Sequence, residues 1–366
     1  MGSVNRTVRS GTGAAGANLP ALRSHNAALA LDLLRTAGES GISRMELAER
    51  TGLTPQAVSK ITARLRDEGL AADAGRRAST GGRPGTVLRL VPSAGHAVGL
   101  HLDRDELTAV LLDLAGAPVA VRAVPLDLGA GAEAVVERVA TEVEALLEGA
   151  RVLGVGVAMP GPLDHVTGVP HRVTGFPQWD GFPLRDALAA RLGLPVVLDK
   201  DTNAAALGLA LRGPGDSFAY LHLGTGLGAG LVLGGALYRG ARTGAGEFGH
   251  QVIQLDGPEC GCGKRGCIEA LCLAAVDRGD LDLAARVLGT GAANLVELLD
   301  IDRVLLGGRI VAADAEPFVR GVGERVRVPV AVTGRGAHLV AEGAAQLVLA
   351  PVFGRAEASP AAPKIG

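Results

Sequence analysis

Aromatic residues are scarce in this sequence: one Trp, two Tyr and six Phe in 366 positions. A core with so few large rings has to be closed mainly by Ala, Val and Leu, and the 48% hydrophobic content supplies them. No run of about 18 apolar residues occurs, and no apolar signal core follows the first Met, so neither a membrane span nor a secretion leader is expected. The chain therefore reads as soluble and cytoplasmic, with no membrane partner. Cysteine is absent except at positions 260, 262, 267 and 272. A secreted disulfide framework would spread its cysteines along the chain, whereas a local cluster points to a metal. A strong net charge is missing too, at −2 overall.

The distribution of that charge is uneven. Residues 1–90 hold 13 Lys and Arg against 7 Asp and Glu, a net of +6, leaving 23 against 31, or −8, for the rest. A basic front end on an acidic body implies a polyanionic partner for the front end alone. The composition divides the chain into an expected disordered tail (1–18), a basic domain (19–92), an α/β body (95–354) and a flexible tail (355–366).

Within the basic domain, an apolar-rich stretch from Leu19 to Ala37 predicts a first helix, ended near Gly38. Ser43 and Glu46 form the S-x-x-E capping box of a second helix, which Gly52 closes. Thr54 is a suitable N-cap and Pro55 suits the first position of a third helix. Val58, Ile61 and Leu65 share one face of that helix. The result is a helix-turn-helix. Thr54, Gln56, Ser59, Lys60 and Arg64 lie off the apolar stripe, where a recognition helix meets the major groove of double-stranded DNA. The Gly- and Pro-punctuated segment carrying Arg76, Arg77 and Arg83, closed by a strand at Val87–Leu90, reads as a wing suited to track phosphates or to enter a minor groove. The competing reading, a three-helix protein-interaction module with a solvated basic loop, leaves the joint occurrence of caps, wing and charge unexplained.

From Ala97 short Val/Leu/Gly strands alternate with Ala-rich helices, an α/β pattern. Leu100–Asp105 followed by a second strand is echoed 121 residues later by Leu221–Gly226 and its strand, which predicts two similar lobes flanking a cleft. The two loops are chemical opposites. GTGLGAG, with Gly224, Thr225 and Gly226, offers backbone N–H groups suited to phosphate; the first loop offers Asp103, Arg104 and Asp105, and its two carboxylates repel a triphosphate.

Cys260-x-Cys262-x4-Cys267 supplies three thiolates within eight residues, and His250 is a candidate fourth ligand for a structural Zn2+. The alternative is three small buried residues in a Gly-rich loop. Cys272, about a helical turn later, is expected in the core. Asp201 ends a strand just before an Ala-rich helix. There it is suited to bind sugar hydroxyls, to act as a general base, or merely to cap the helix.

The combination of E-x-x-H (247–250), C-x-C-G-x-x-G-C-x-E (260–269), D-x-N-A-A-A-L-G (201–208), L-G-T-G-x-G-A-G (223–230) and a leading winged helix resembles the ROK family of repressors, open reading frames and kinases, from about Leu19 to Val352. The resemblance implies a two-lobed actin-like ATPase body of the sugar kinase and ribonuclease H-like type, behind an α+β winged helix-turn-helix, with a sugar pocket and a structural zinc. It implies that Glu247, His250 and Glu269 hold the sugar, His250 serving the metal as well, and that Asp201 stands at the catalytic base position. Three departures are evident. The kinase signature D-x-G-G-T reads His101-Leu102-Asp103-Arg104-Asp105 here, an Asn before the base is Lys200, and a sugar-contacting Asn is Gly175. Lys200 is therefore expected to pair with an acid or phosphate on the ligand. The reading favours a non-enzymatic repressor sensing a sugar or sugar derivative, working as a homodimer or homotetramer on an operator. The alternative is an active ATP-dependent sugar kinase with a DNA-binding arm.

Overall fold

The computed structural model describes residues 19–77, 85–147, 149–213, 216–333 and 338–355. Arg83 and the expected tails fall outside them, apart from Arg355. The chain divides into two compact units, residues 1–90 and 91–366.

The first unit runs α1 (Leu19–Ala37), β1 (Ile42–Ser43), α2 (Arg44–Thr51), α3 (Pro55–Asp67), β2 (Ala71–Arg77) and β3 (Gly85–Leu90). Its small sheet has the order β1-β3-β2. The capping box forms as the sequence requires: Glu46 N donates to Ser43 Oγ (3.2 Å) and Ser43 N to the Glu46 carboxylate (2.7 Å). Gly52 adopts the left-handed conformation that ends α2. The Thr54 hydroxyl accepts from Ala57 N at the start of α3. Leu34, Leu47, Val58, Leu65 and Leu88 form the core. One stripe position differs from expectation. Ile61 is only half-buried, and Thr62 takes the inward place because its hydroxyl donates to Val58 O (2.9 Å) and so enters the core satisfied.

The second unit contains the duplication. Its first sheet uses β4 (His96–Leu102), β5 (Glu106–Asp113), β6 (Pro118–Pro125), β7 (Val152–Met159) and, beyond the short hairpin β8 (Leu163–Asp164) and β9 (Val169–Pro170), β10 (Val196–Lys200). Helices α4 (Ala132–Glu144) and α5 (Leu184–Leu192) cover it. After α6 (Asp201–Arg212) the second sheet uses β11 (Phe218–Leu223), β12 (Leu227–Leu233) and β13 (Ala236–Tyr238); then, past α7 (Ile268–Asp277) and α8 (Leu281–Leu299), β14 (Arg303–Gly307) and β15 (Val330–Val332). The orders β10-β7-β4-β5-β6 and β15-β14-β11-β12-β13 match strand for strand, an antiparallel hairpin flanked by parallel strands in each.

Between the sheets lie α6 and the last helix, here α11 (Leu339–Leu349), with α9 (Arg309–Ala313) and α10 (Glu316–Gly323) preceding it. Small residues make this layer possible. A Cβ on Gly343 would sit 1.9 Å from Ala204 O, and one on Gly99 would sit 1.9 Å from Ala341 O. Such backbone-to-backbone packing explains how a chain short of rings closes its core. It brings the ends of β4, β10 and β11 around one cleft.

Candidate functional site

The β4–β5 and β11–β12 hairpins bring their loops to the same cleft, and the loops touch. The Thr225 hydroxyl donates to Asp103 Oδ1 at 3.0 Å. Arg309, at the start of α9, grips Asp105 through two hydrogen bonds of 2.9 and 3.1 Å and lies 3.8 Å from Asp103. The paired hydrogen bonds from the guanidinium hold the Asp105 carboxyl below its usual range. Behind the loops the half-buried His222 has its Nδ1 2.9 Å from Tyr220 Oη, and desolvation lowers His222 to about 4, with His101 adding to the shift.

Asp201 is the first residue of α6, one past its N-cap Lys200, and its carboxylate accepts from the adjacent Thr202 N at 2.6 Å; α6 has no side-chain cap hydrogen bond, so Asp201 does not play the capping role foreseen as one alternative. It nevertheless lines the cleft. Burial pushes this carboxyl up to about 7, and the carboxylates of Asp103 and Glu247 push the same way, against Thr202 N and Lys200.

Lys200 lines the cavity, yet its ammonium is engaged within the chain. The side chain is 3% exposed, and Nζ donates to Glu247 Oε1 (3.0 Å) and to Ala245 O. Glu247 thus already supplies an acid partner for Lys200 from within the chain.

Glu247, His250 and Glu269 converge on the same space from two segments. Gly246, at φ +85°, and Gly249 let residues 244–250 lie directly on β12: a Cβ on Gly246 would fall 2.0 Å from Ala229 O. Glu269, in the first turn of α7, accepts from Leu227 N (2.8 Å), tying that helix to the glycine loop. Two cavities of about 80 and 480 Å3 share Val173, Thr174, Glu247 and His250.

Next to them, His250, Cys260, Cys262 and Cys267 each present one ligand atom, all within 4.8 Å of one another, an arrangement that can hold a metal ion. Cys260 Sγ lies 3.6 Å from His250 Nδ1, and Cys262 Sγ 3.7 Å from Cys267 Sγ. Cys272 instead is buried in α7 with its thiol against Ala284 O.

In the first unit Gln56, Ser59, Lys60 and Arg64 are exposed on α3. Lys60 has no carboxylate partner among the described residues, and Arg64 makes only an exposed contact with Glu68 at 3.6 Å. Thr54 spends its hydroxyl on the cap, while Arg76 and Arg77 lie on β2 opposite Thr86 and Gly85.

Sequence reasoning missed two features. One is Arg309, which nothing in its local pattern marks. The other is the buried ion pair of Asp199 with Arg239, where Asp199 also accepts from Asn203 (2.8 Å) and fixes the β10–α6 corner that carries Asp201. Alternation along VVLDKD points Asp199 away from Lys200, but its partner comes from 40 residues downstream.

A winged helix, a duplicated actin-like α/β body, and a Cys3His knot beside an acidic cleft define a narrow class of protein. The chain belongs to the ROK family: residues 97–276 match that family and residues 23–79 match the MarR family. It is 33% identical to a ROK hexokinase from Thermus thermophilus of known structure, covering 68% of this chain and 96% of that one, with a TM-score of 0.56. A ROK family transcriptional regulator, described as a homologue of the E. coli MLC protein, shares the fold over 91% of this chain and 98% of its own, with a TM-score of 0.74 and 22% identity. The xylose repressor of Bacillus subtilis (strain 168) is 29% identical over 246 residues, 63% of this chain and 61% of that protein. The chain spans about three fifths of the length of the xylose repressors it matches.

Proposed function

We propose that this chain is a sugar-responsive DNA-binding repressor that does not turn over ATP. The observation carrying the proposal is the bond between Thr225 and Asp103. The glycine loop that would cradle phosphates is occupied by a carboxylate from the opposite lobe, and Arg309 is spent on Asp105 instead of on a nucleotide. Two like charges about 4 Å apart repel by about 4 kcal/mol near a protein surface, so each added phosphate charge beside Asp103 weighs against binding. The sugar end of the cleft keeps its polar groups, with Asp201, Glu247, His250 and Glu269 as hydroxyl partners and Lys200 holding Glu247 in place. The repressor names among the relatives support the same direction.

The metal is proposed to be zinc, bound by His250, Cys260, Cys262 and Cys267. A tetrahedral zinc with ordinary bond lengths sets sulfur–sulfur edges of about 3.8 Å and sulfur–nitrogen edges of about 3.6 Å, and the separations of 3.7 and 3.6 Å fit them. When bound, the ion staples residues 250–267 and fixes the imidazole tautomer. His250 would ligate through Nδ1, leaving Nε2–H to donate to a sugar hydroxyl.

On the DNA side, α3 enters the major groove with Gln56, Ser59, Lys60 and Arg64, Thr54 sits at its leading end, and Arg76, Arg77 and Arg83 follow the phosphates. A homodimer or homotetramer reads paired half-sites about one helical turn apart. Effector binding favours one closure of the cleft and shifts the population competent for the operator. Fluorescence anisotropy with operator DNA, with and without sugar, tests this reading; operator affinity that no sugar changes would sink it. The kinase reading rests on Asp201, held near pH 7 and suited to a general base. Sugar-dependent ADP release would establish it.

A further inference from the structure

Arg104 is the one residue of the first loop whose charge is unanswered. Asp103 accepts from Thr225 and from Arg104 N (2.8 Å), and Asp105 is held by Arg309. The Arg104 guanidinium makes no ion pair and no hydrogen bond among the described residues. It is half-buried at the cavity wall and lies over the Phe176 ring, 5.4 Å from its centre. Its position is set from behind: Arg104 O accepts from Leu128 N, and Leu128 O accepts from the indole of the buried Trp179. The guanidinium reaches both lobes. One terminal nitrogen lies 3.6 Å from where a Cβ on Gly175 would stand, the other 3.9 Å from the same point on Gly226. Any larger side chain at 175 would crowd this arginine.

A second observation lies beside it. Thr225 and Gly226 line the same cavity, and their backbone N–H groups make no hydrogen bond among the described residues. A guanidinium fork next to two free loop amides is the donor set of an anion site. Of the four carboxylates that line the cavity, Glu247 is paired with Lys200, Asp103 lies 3.8 Å from Arg309, Glu269 accepts from Leu227 N, and burial pushes Asp201 up to about 7.

We propose that the effector carries an anionic group, a phosphate or a carboxylate, seated between Arg104 and the amides of Thr225 and Gly226. This rests on the sugar-sensor reading and specifies its ligand class as a sugar phosphate or sugar acid rather than a neutral sugar. The site differs from a nucleotide site in that one charged group fits beside Asp103 where a triphosphate does not.

The test is calorimetric titration of the intact, metal-loaded protein with glucose and xylose, their terminal phosphates and the corresponding sugar acids. The expected result is at least tenfold tighter binding of one anionic series over the neutral sugars, the favoured series telling phosphate from carboxylate. Arg104→Gln should collapse that ratio to below about twofold, with Arg104→Lys, which keeps charge but loses the fork, in between. Neutral sugars binding as tightly as their anionic forms, or a preference that survives in Arg104→Gln, would overturn the anion site while leaving the sensor intact. Failure of every compound to bind would overturn the sensor reading and the anion site together.

Discussion

The hydroxyl of Thr225 donates to the carboxylate of Asp103 across 3.0 Å, joining two hairpin loops that descend from equivalent places in the two lobes. In a fold where such loops face one another across a cleft, this bond puts an intramolecular acid where the phosphate chain of a nucleotide would otherwise run along the glycine loop.

That contact predicts nucleotide indifference. Millimolar Mg-ATP should leave the melting temperature unchanged. Thr225→Val should lower stability by about 1 kcal/mol, the ordinary net worth of one hydrogen bond. Arg309→Ala should cost less than about 1 kcal/mol, because the Arg309–Asp105 pair is roughly half exposed and therefore screened. Urea unfolding of the two variants gives both values, and a clear thermal shift with Mg-ATP would contradict the occupied loop.

Metal content gives a second prediction. Cys262 is exposed, so Cys262→Ser removes little packing, and any large effect must come through the metal. The purified variant should hold far less zinc than the parent, which should carry about one ion per chain. It should also melt earlier and bind its effector more weakly, because His250 belongs to both knot and cleft. Elemental analysis with calorimetry checks all three, and full effector affinity in zinc-free protein would break the link.

Asp201 makes stability depend on pH in a definite direction. The unfolded carboxyl titrates near 3.8, while in the folded chain burial pushes it up to about 7, reinforced by Asp103 and Glu247 and opposed by Lys200. The folded state therefore keeps a proton that the unfolded state has lost. Its contribution is full below about pH 4 and disappears as the pH rises through about 7. Asp201→Asn should flatten that decline in a series of melting curves. An unchanged slope would show that the carboxyl is ionised throughout.

In the first unit, folding and DNA contact should separate. Ser43→Ala removes the side-chain half of the capping box, leaving the residue's backbone N–H to donate to Glu46, and should destabilise α2 by about 1 kcal/mol, seen as faster amide exchange in that helix. Lys60→Ala, at an exposed cation with no carboxylate partner among the described residues, should leave the melting temperature within experimental error. It should weaken DNA binding and reduce the dependence of affinity on salt by about one phosphate contact. If Lys60→Ala binds DNA as the parent does, α3 is not the reading helix.

Gly343→Ala probes the seam between lobes. The new Cβ would fall 1.9 Å from Ala204 O, in rigid backbone, so a loss of about 3 kcal/mol or more is expected, far above an exposed glycine in open space such as Gly323. Comparable melting temperatures for the two variants would mean that α6 and α11 can move apart.

The sequence alone determined whatever depends on neighbours along the chain. The Ser43–Glu46 box, Gly52 and Thr54-Pro55 fixed the helix-turn-helix, because caps act within one turn. The 121-residue echo fixed the two hairpins, because alternation and turn residues are local. The spacing of three cysteines and His250 marked the knot, since only a short, glycine-rich segment can wrap one ion. Tertiary structure decided what depends on residues far apart in sequence. It turned Thr62 rather than Ile61 inward through a satisfied hydroxyl. It gave Lys200 to Glu247, 47 residues away, and Asp105 to Arg309, 204 residues away. It left the Arg104 guanidinium over the Phe176 ring, with no carboxylate partner among the described residues. Sequence shows which charges a cleft contains, but pairing in space decides which of them remain free for a ligand.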